Sequence, residues 1–298
     1  MSICIIDIGS NSSRASVYEQ AGQCVPPIFE GRVRTGLGAF ITANNTLSAE
    51  GIALAAESVQ QLLAEKEVAA AGEVHILAMA ALRNIANSAE ALSAISEQLH
   101  HPVTVLSGKQ EARLGFESLL AHTHATSGVC VDVGGGSTEV TCFSAAEMTA
   151  STSVALGTLK LQKAYGAARP VTPEMAKQAA AAIDTALRAH ALPLEQQQGC
   201  CLFGLGGTSY AAAALLCHKQ QREVVPHIRF AFSALEELAL ALEQNDDAAW
   251  AAVDELAAPR ANSIYYGLTL FVEIGRACKA TEFCWGSASA RDGYLLSL

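Results

Sequence analysis

Hydrophobic and polar positions divide the chain into short apolar runs, punctuated by glycine and small polar residues, alternating with longer stretches of helical period. Residues Ile3 to Ile8 are apolar except Asp7. A Gly9-Ser10-Asn11 turn follows, then a second apolar run, Ala15 to Tyr18, so the pattern predicts a strand hairpin. Arg32 to Leu37 reads as a further strand. Ser48 caps a helix to about Lys66, with Glu50 in its first turn and Ile52, Ala55, Val59 and Leu62 on one face. Val74 to Met79 is a buried strand, a helix starts at Asn87 or Ser88 and runs through Leu99, and Pro102 to Leu106 is strand-like. After the Ser107-Gly108 turn comes a helix to about Ala121.

The second half restarts the pattern. A hairpin is predicted from Val129, with its turn at Gly134-Gly135-Gly136. Thr172-Pro173-Glu174 signs a helix start, and that helix ends near His190. Gly199 to Leu205 reads as a strand, with a helix from about Thr208. Ser233 and Glu236 fit a capping box, and Pro259 to Ile274 a long buried helix. Strands alternate with helices in both halves, which implies two α/β domains. The soft segment His122 to Gly128 sets the boundary, giving domains 1–123 and 124–298, with about the last dozen residues returning to the first.

The two hairpins repeat one phrase. Asp7 maps onto Asp132, Gly9 onto Gly134 and Ser12 onto Ser137. A Gly/Ser turn exposes backbone N–H groups that can hold a phosphate, and an Asp at the strand end can hold Mg²⁺. Two such hairpins facing each other across a cleft would grip a polyphosphate from both sides. The plainer alternatives are that both Asp residues cap their own turns and that Gly134 to Gly136 serve only a tight bend.

Composition narrows the class. Of 298 residues, 51% are hydrophobic and 16% charged, which makes a globular chain with a sizeable core. A net charge of −10 argues against a nucleic-acid coat or a membrane-surface protein, yet leaves an anionic small substrate possible. The nine cysteines are odd in number and form no C-x-x-C pair, so buried reduced thiols in a cytoplasmic protein are expected. The N-terminus carries no basic segment, so no signal peptide is expected. Gly199 to Cys217 is uncharged, but its central glycines suit a strand, turn and buried helix better than a membrane span.

Five collinear segments resemble the exopolyphosphatase and guanosine pentaphosphate phosphohydrolase family, of the actin, Hsp70 and sugar-kinase superfamily. They are Asp7-Ile8-Gly9-Ser10-Asn11-Ser12-Ser13-Arg14, Ala80 to Asn87, Ser107 to Leu114, Asp132 to Glu139, and Gly204-Leu205-Gly206-Gly207-Thr208. The closing Ser289-Ala290-Arg291-Asp292-Gly293 also looks like that family's final turn. Met79-Ala80 stand where the family often has small hydroxyl residues, and Asn84 where an acid is common. Long members carry extra helical domains, so this chain looks like the minimal two-domain core. The resemblance implies two duplicated actin-like (ribonuclease H-like) α/β domains.

It also implies roles. Glu111 matches the family's catalytic glutamate and would be the base, although by sequence alone it reads as a surface helix acid. Gly9, Ser10, Asn11, Ser12, Gly134, Gly135, Gly136, Ser137 and Thr138 would cradle phosphate. Gly206, Gly207 and Thr208 would form a further anion site at a helix start. Arg83 and Arg14 would reach phosphate, or else form structural ion pairs. Asp132 and Glu139, with Asp7 as a direct or outer partner, would hold Mg²⁺, Mn²⁺ being an alternative. No role follows for His122, His124 or His227, the first two reading as solvated linker, and Glu236-Glu237 reads as a solvated helix start.

The expected reaction is hydrolysis of the terminal phosphoanhydride of inorganic polyphosphate, with guanosine pentaphosphate as the alternative substrate. Short or medium chains are expected, because an acidic chain lacks a long basic channel. An ATP-dependent small-molecule kinase of the same fold, or a non-catalytic polyphosphate or alarmone binder, are the competing readings. Retention of Glu111, Asp132 and Glu139 together argues against the binder. A homodimer is implied by the resemblance, with neither nucleic acid nor membrane as partner.

Overall fold

The structure, a computed structural model, describes residues 1–23 and 25–298. Cys24, one of the expected reduced thiols, lies outside the described residues. In chain order the elements are β1 (Ile3–Ile8), β2 (Ser12–Tyr18), β3 (Phe29–Arg34), α1 (Ala49–Leu63), α2 (Lys66–Ala69), β4 (Glu73–Ala78), α3 (Ala80–Arg83), α4 (Ser88–Leu99), β5 (Val103–Val105) and α5 (Gly108–His122). There follow β6 (Gly128–Val133), β7 (Thr138–Ser144), β8 (Glu147–Val154), α6 (Thr158–Tyr165), α7 (Pro173–Ala189), β9 (Cys201–Leu205) and α8 (Gly206–Gln220). The chain closes with β10 (Arg229–Ala231), α9 (Phe232–Glu243), α10 (Asp247–Leu256), α11 (Ile264–Ala277), β11 (Glu282–Trp285) and α12 (Ala290–Ser297).

These form two compact units, Met1–Leu114 with Ala290–Leu298, and Gly115–Ser289. The sequence put the division at 123/124; it falls instead within α5, between Leu114 and Gly115.

In the first unit the sheet order is β3-β2-β1-β4-β5. The β1-β2-β3 meander is antiparallel, and β4 and β5 join parallel to β1. β1 is buried on both faces, which is why its sequence is a nearly unbroken apolar run rather than an alternation. Against one face α1 lays Ile52, Ala55, Val59 and Leu62, the stripe its period predicted, and Ser48 accepts the N–H of Gly51 as its cap. On the other face Ile3, Ile5, Tyr18, Leu77, Leu106 and Leu114 pack with Ala290 and Leu295 of α12.

The second unit repeats the design. Its sheet order is β10-β11-β9-β6-β7-β8. Strands β6, β7, β8, β9 and β11 therefore take the places of β1 to β5, with β10 added antiparallel at the edge. Thr172 caps α7 through the N–H of Met175, with Pro173 at its first turn. The uncharged stretch from Gly199 to Cys217 resolves into β9 and α8. Among the described residues no helix is long and apolar enough to cross a membrane.

Two helix starts differ from expectation. Ala231 still pairs with Glu282 in β10, and Phe232 N–H bonds Thr281 O, so the strand runs directly into α9 and Ser233 caps nothing. Pro259 opens only a 3₁₀ turn, Ala258–Arg260; Ser263 then breaks helical geometry at φ −138°, and α11 begins at Ile264. The eight described cysteines are all free thiols, and burial pushes the Cys4 thiol up to about 12.

Candidate active site

In the second unit the chemistry gathers at the β6-β7 turn. Antiparallel register sets Asp132 directly opposite Glu139, so both carboxylates project from the same face at neighbouring positions. Gly134 N–H closes the turn on Ser137 O at 2.9 Å. From behind, the first turn of α6 holds it: Thr158 N–H donates to Gly134 O, and Leu159 and Lys160 N–H to Gly135 O. A trans peptide points its N–H opposite to its C=O, so the N–H groups of Gly135 and Gly136 face away from that support. The approach requires Gly157, since a Cβ there would lie 2.6 Å from Gly134 O.

Glu139 is buried, at 3% exposure. Two hydroxyls donate to its Oε1, Ser137 at 2.8 Å and Ser153 at 2.6 Å. Hydrogen bonding to the ionised form is what makes burial of a carboxylate tolerable. Asp132 meets the start of α8. Gly206 has φ +70°, and a Cβ on it would lie 2.6 Å from Asp132 Oδ1. The positive end of a fifteen-residue helix thus faces Asp132. Of the expected phosphate ligands, Thr208 donates its hydroxyl to Val133 O at 2.8 Å and Thr138 to Leu156 O at 2.7 Å. Ser137 donates to Glu139, so all three hydroxyl protons brace the protein.

In the first unit the β1-β2 turn has the same frame. Gly9 N–H bonds Ser12 O at 3.2 Å, and Thr35 and Gly36 N–H donate to Asn11 O from behind, with Gly38 N–H on Ser10 O. The N–H groups of Asn11 and Ser12 accordingly turn the other way. The charges differ. Asp7 lies opposite Arg14 in the register, and its Oδ2 is 2.9 Å from Arg291 of α12. Arg14 Nε reaches Ser12 Oγ at 3.5 Å. Burial works against the Arg291 charge, but Asp7, Tyr18, Asp292 and Glu30 outweigh it and raise its pKa. Beside it the Tyr18 hydroxyl donates to Asp292 at 2.7 Å; burial first, then Asp292, pushes that phenol up.

Glu111, in the first turn of α5, pairs with Arg83 at 2.7 Å, both side chains nearly buried. The same Arg83 nitrogen donates to Leu106 O at 2.8 Å. Of the two readings of Arg83, the geometry shows the ion pair, and that ion pair fixes the candidate base. His122, expected in solvent, instead bonds Ser118 O through Nδ1, its ring centroid 6.4 Å from that of His227.

Asp132 and Glu139 fit Mg²⁺ by donor chemistry. Mg²⁺ takes one or two carboxylates and completes its shell with water and phosphate oxygens, so the pair suffices. Among the described residues no group of three or more His, Cys, Asp or Glu forms a protein-only cage. Asp7 is the weaker candidate, because its charge is met by Arg291.

The sequence model of the Ppx/GppA phosphatase family matches residues 16–298. The chain belongs to the Ppx/GppA phosphatase family. The β1-β2 turn lies outside that match, but this Ppx/GppA chain aligns over its whole length with solved structures. It is similar to an exopolyphosphatase from Cytophaga hutchinsonii, at 18% identity and a TM-score of 0.85, covering 100% of this chain and 97% of that one. It is also similar to the Ppx/GppA enzyme of Aquifex aeolicus, at 21% identity and a TM-score of 0.76, covering 100% and 99%. At these identities the likeness establishes the fold, and with it the actin-like α/β class that the resemblance implied. A curated relative, guanosine-5'-triphosphate,3'-diphosphate pyrophosphatase of Photobacterium profundum, is 26% identical over 306 aligned positions. The match covers 98% of this Ppx/GppA chain but 58% of that relative's length.

Sequence reading missed Ser153, Gly157 and Arg291. Ser153 lies fourteen residues from Glu139 on a third strand, and only sheet pairing opposite Glu139 brings it there. Arg291 is recruited by the return of α12 to the first unit. The two turns are braced by different means: Gly36 donates its N–H to Asn11 O, whereas Gly157 serves by lacking a Cβ beside Gly134 O.

Proposed function

We propose that this protein is a Mg²⁺-dependent phosphohydrolase that removes the terminal phosphate of inorganic polyphosphate as orthophosphate. The observation that supports it most is the Asp132–Glu139 carboxylate pair, Glu139 buried and Asp132 partly exposed, at the mouth of a turn whose Gly135 and Gly136 N–H groups face away from its support. Asp132 and Glu139 would hold Mg²⁺, which when bound neutralises charge on the phosphoryl oxygens. The Gly135 and Gly136 N–H groups, and those of Asn11 and Ser12 in the first unit, would bind the phosphate oxygens. Glu111 would accept a proton from the attacking water as the terminal P–O anhydride bond breaks, with Arg83 holding its carboxylate in place. Backbone cradling does little to distinguish one polyphosphate-like chain from another. The relative named as a guanosine-5'-triphosphate,3'-diphosphate pyrophosphatase therefore supports a second reading, removal of the 5'-terminal phosphate of guanosine pentaphosphate.

Phosphate release from both substrates, with Mg²⁺ or with chelator, tests the proposal on the native chain and on Glu111→Gln. Chelation should stop release, and Glu111→Gln should lower turnover by about 10²- to 10⁴-fold while metal binding persists. Undiminished turnover in Glu111→Gln would remove it from the chemistry, and the faster native substrate decides between the two readings.

A further inference from the structure

We propose that Cys200 and Cys278 of the second unit are an oxidation site that a hydroperoxide closes into a disulfide. Cys200 immediately precedes β9 and Cys278 caps the C-terminus of α11, 78 positions apart in sequence. The backbone laces the two segments together. Gly199 N–H donates to Lys279 O at 3.1 Å, Thr281 N–H to Cys200 O at 3.0 Å, and the Thr281 hydroxyl to Gly199 O at 3.1 Å. The register of β9 against β11, which pairs Cys201 with Glu282, sets Cys200 beside Thr281, three residues after Cys278. Across it the Cys200 and Cys278 thiols are neighbours, close enough to bias each other's ionisation, while Cys278 Sγ donates to Gly275 O at 3.4 Å. The two cysteines therefore sit on segments that backbone bonds hold against each other, the placement a bridge needs.

Exposure divides the labour. Cys200 is partly open to solvent, whereas Cys278 is fully buried. The neighbouring Cys278 thiol, then backbone N–H groups of Cys200 and Val129, favour the Cys200 thiolate over burial and lower its pKa; the same thiol contact raises that of Cys278. Cys200 is thus the thiol a peroxide meets first, and the one whose thiolate is favoured. Its thiolate attacks the peroxide O–O bond, giving a Cys200 sulfenic acid and an alcohol or water. The Cys278 sulfur, losing its proton, then attacks the sulfenic sulfur, forming S–S and releasing water. Two thiols are oxidised and one peroxide is reduced to two hydroxylic products.

Adjacent positions in a strand face opposite sides of the sheet, so Cys201 turns the other way, to Cys284, whose thiol it contacts. There the partly exposed partner, Cys201, has its pKa raised by the hydrogen bond to Cys284 and by burial, so it is the poorer nucleophile. Cys142 is a third thiol near Cys200, but it is fully buried in the core and burial raises it to about 11.

The experiment treats the folded full chain with hydrogen peroxide, blocks remaining thiols, and maps tryptic peptides without reduction. Cys278 is released in the tripeptide Ala277-Cys278-Lys279 and Cys284 in the peptide Ala280 to Arg291, so their links are separable by mass. The expected product joins the Ala277 tripeptide to the peptide containing Cys200, with loss of two hydrogens. It persists in Cys201→Ser, disappears in Cys200→Ser and Cys278→Ser, and reverses with a dithiol reductant. The bridge closes a long loop of the second unit, so oxidation should also raise the melting temperature of the native chain by several degrees. Three results would overturn the proposal: Cys278 recovered as free thiol while Cys200 advances to sulfinic acid, a link from Cys200 to Cys142 instead, or a Cys278 link that survives Cys200→Ser.

Discussion

The β1-β2 and β6-β7 turns share a backbone and differ in charge. In both, a glycine N–H closes on a serine carbonyl three positions on, and amides from a following turn grip the loop carbonyls from behind. In both, a Cβ on that glycine would come to 3.1 Å from the serine oxygen. Yet the residue opposite the strand-end aspartate is Arg14 in one and Glu139 in the other. The first turn answers its aspartate with cations, Arg14 across the hairpin and Arg291 from α12; the second sets carboxylate beside carboxylate. Two neighbouring carboxylates repel unless a cation joins them, whereas Asp7 already has its cation. The duplicated scaffold has therefore been divided: one copy carries a structural ion pair, the other two neighbouring carboxylates.

Four sets of substitutions press on that division. The largest effect is expected at the carboxylate pair: Asp132→Asn or Glu139→Gln should reduce Mg²⁺-dependent phosphate release by about 10²- to 10³-fold and abolish Mn²⁺ binding followed by electron paramagnetic resonance. Retained Mn²⁺ affinity in both would move the metal elsewhere. Asp7→Asn should instead act on folding. It leaves Arg291 buried without its anion, at a cost of about 3–5 kcal/mol in urea unfolding, whereas Asp7→Asn combined with Arg291→Met should recover part of that loss. Unchanged stability with lost metal binding would reverse the comparison.

Ser153→Ala is a subtler probe. It removes one of the two hydroxyls on Glu139 Oε1 and should weaken Mn²⁺ binding by about 10-fold, with Ser153→Thr restoring it; a KM change with metal affinity intact would place Ser153 on the substrate instead. Smallest is the glycine pair. Gly36 sits at φ +60° with nothing within 4 Å of an added Cβ, so Gly36→Ala should cost about 1–2 kcal/mol and leave the metal site alone. Gly206→Ala carries the same backbone penalty and also pushes a methyl into Asp132, so it alone should lower metal affinity. Equal metal affinities in the two variants would show that Asp132 yields to the added methyl.

Much of this was legible along the chain. Apolar runs and caps located most strands and helices, as at Ser48 and Thr172, whose side chains bond the amides their positions implied. The short α3 and the edge strand β10 were not legible, since a single turn or three residues leave too little periodicity to detect, and β8, α6, α10 and β11 also went unread. Boundaries set by tertiary bonds also escaped, as where β10 passes directly into α9.

By itself the sequence determined that there are two α/β halves, that each carries an acid-and-glycine turn, and that Asp132 and Glu139 flank one of them. Those facts depend on residue type and local spacing, which hydrogen bonding between near neighbours turns directly into structure. Only the tertiary structure decided which aspartate is already neutralised and which hydroxyls are already engaged. Arg291 meets Asp7 across 284 positions, Thr208 reaches Val133 across 75, and Ser153 reaches Glu139 from a third strand. A side chain's charge and protons are spent on whatever the fold brings within about 3 Å, and no local pattern encodes that.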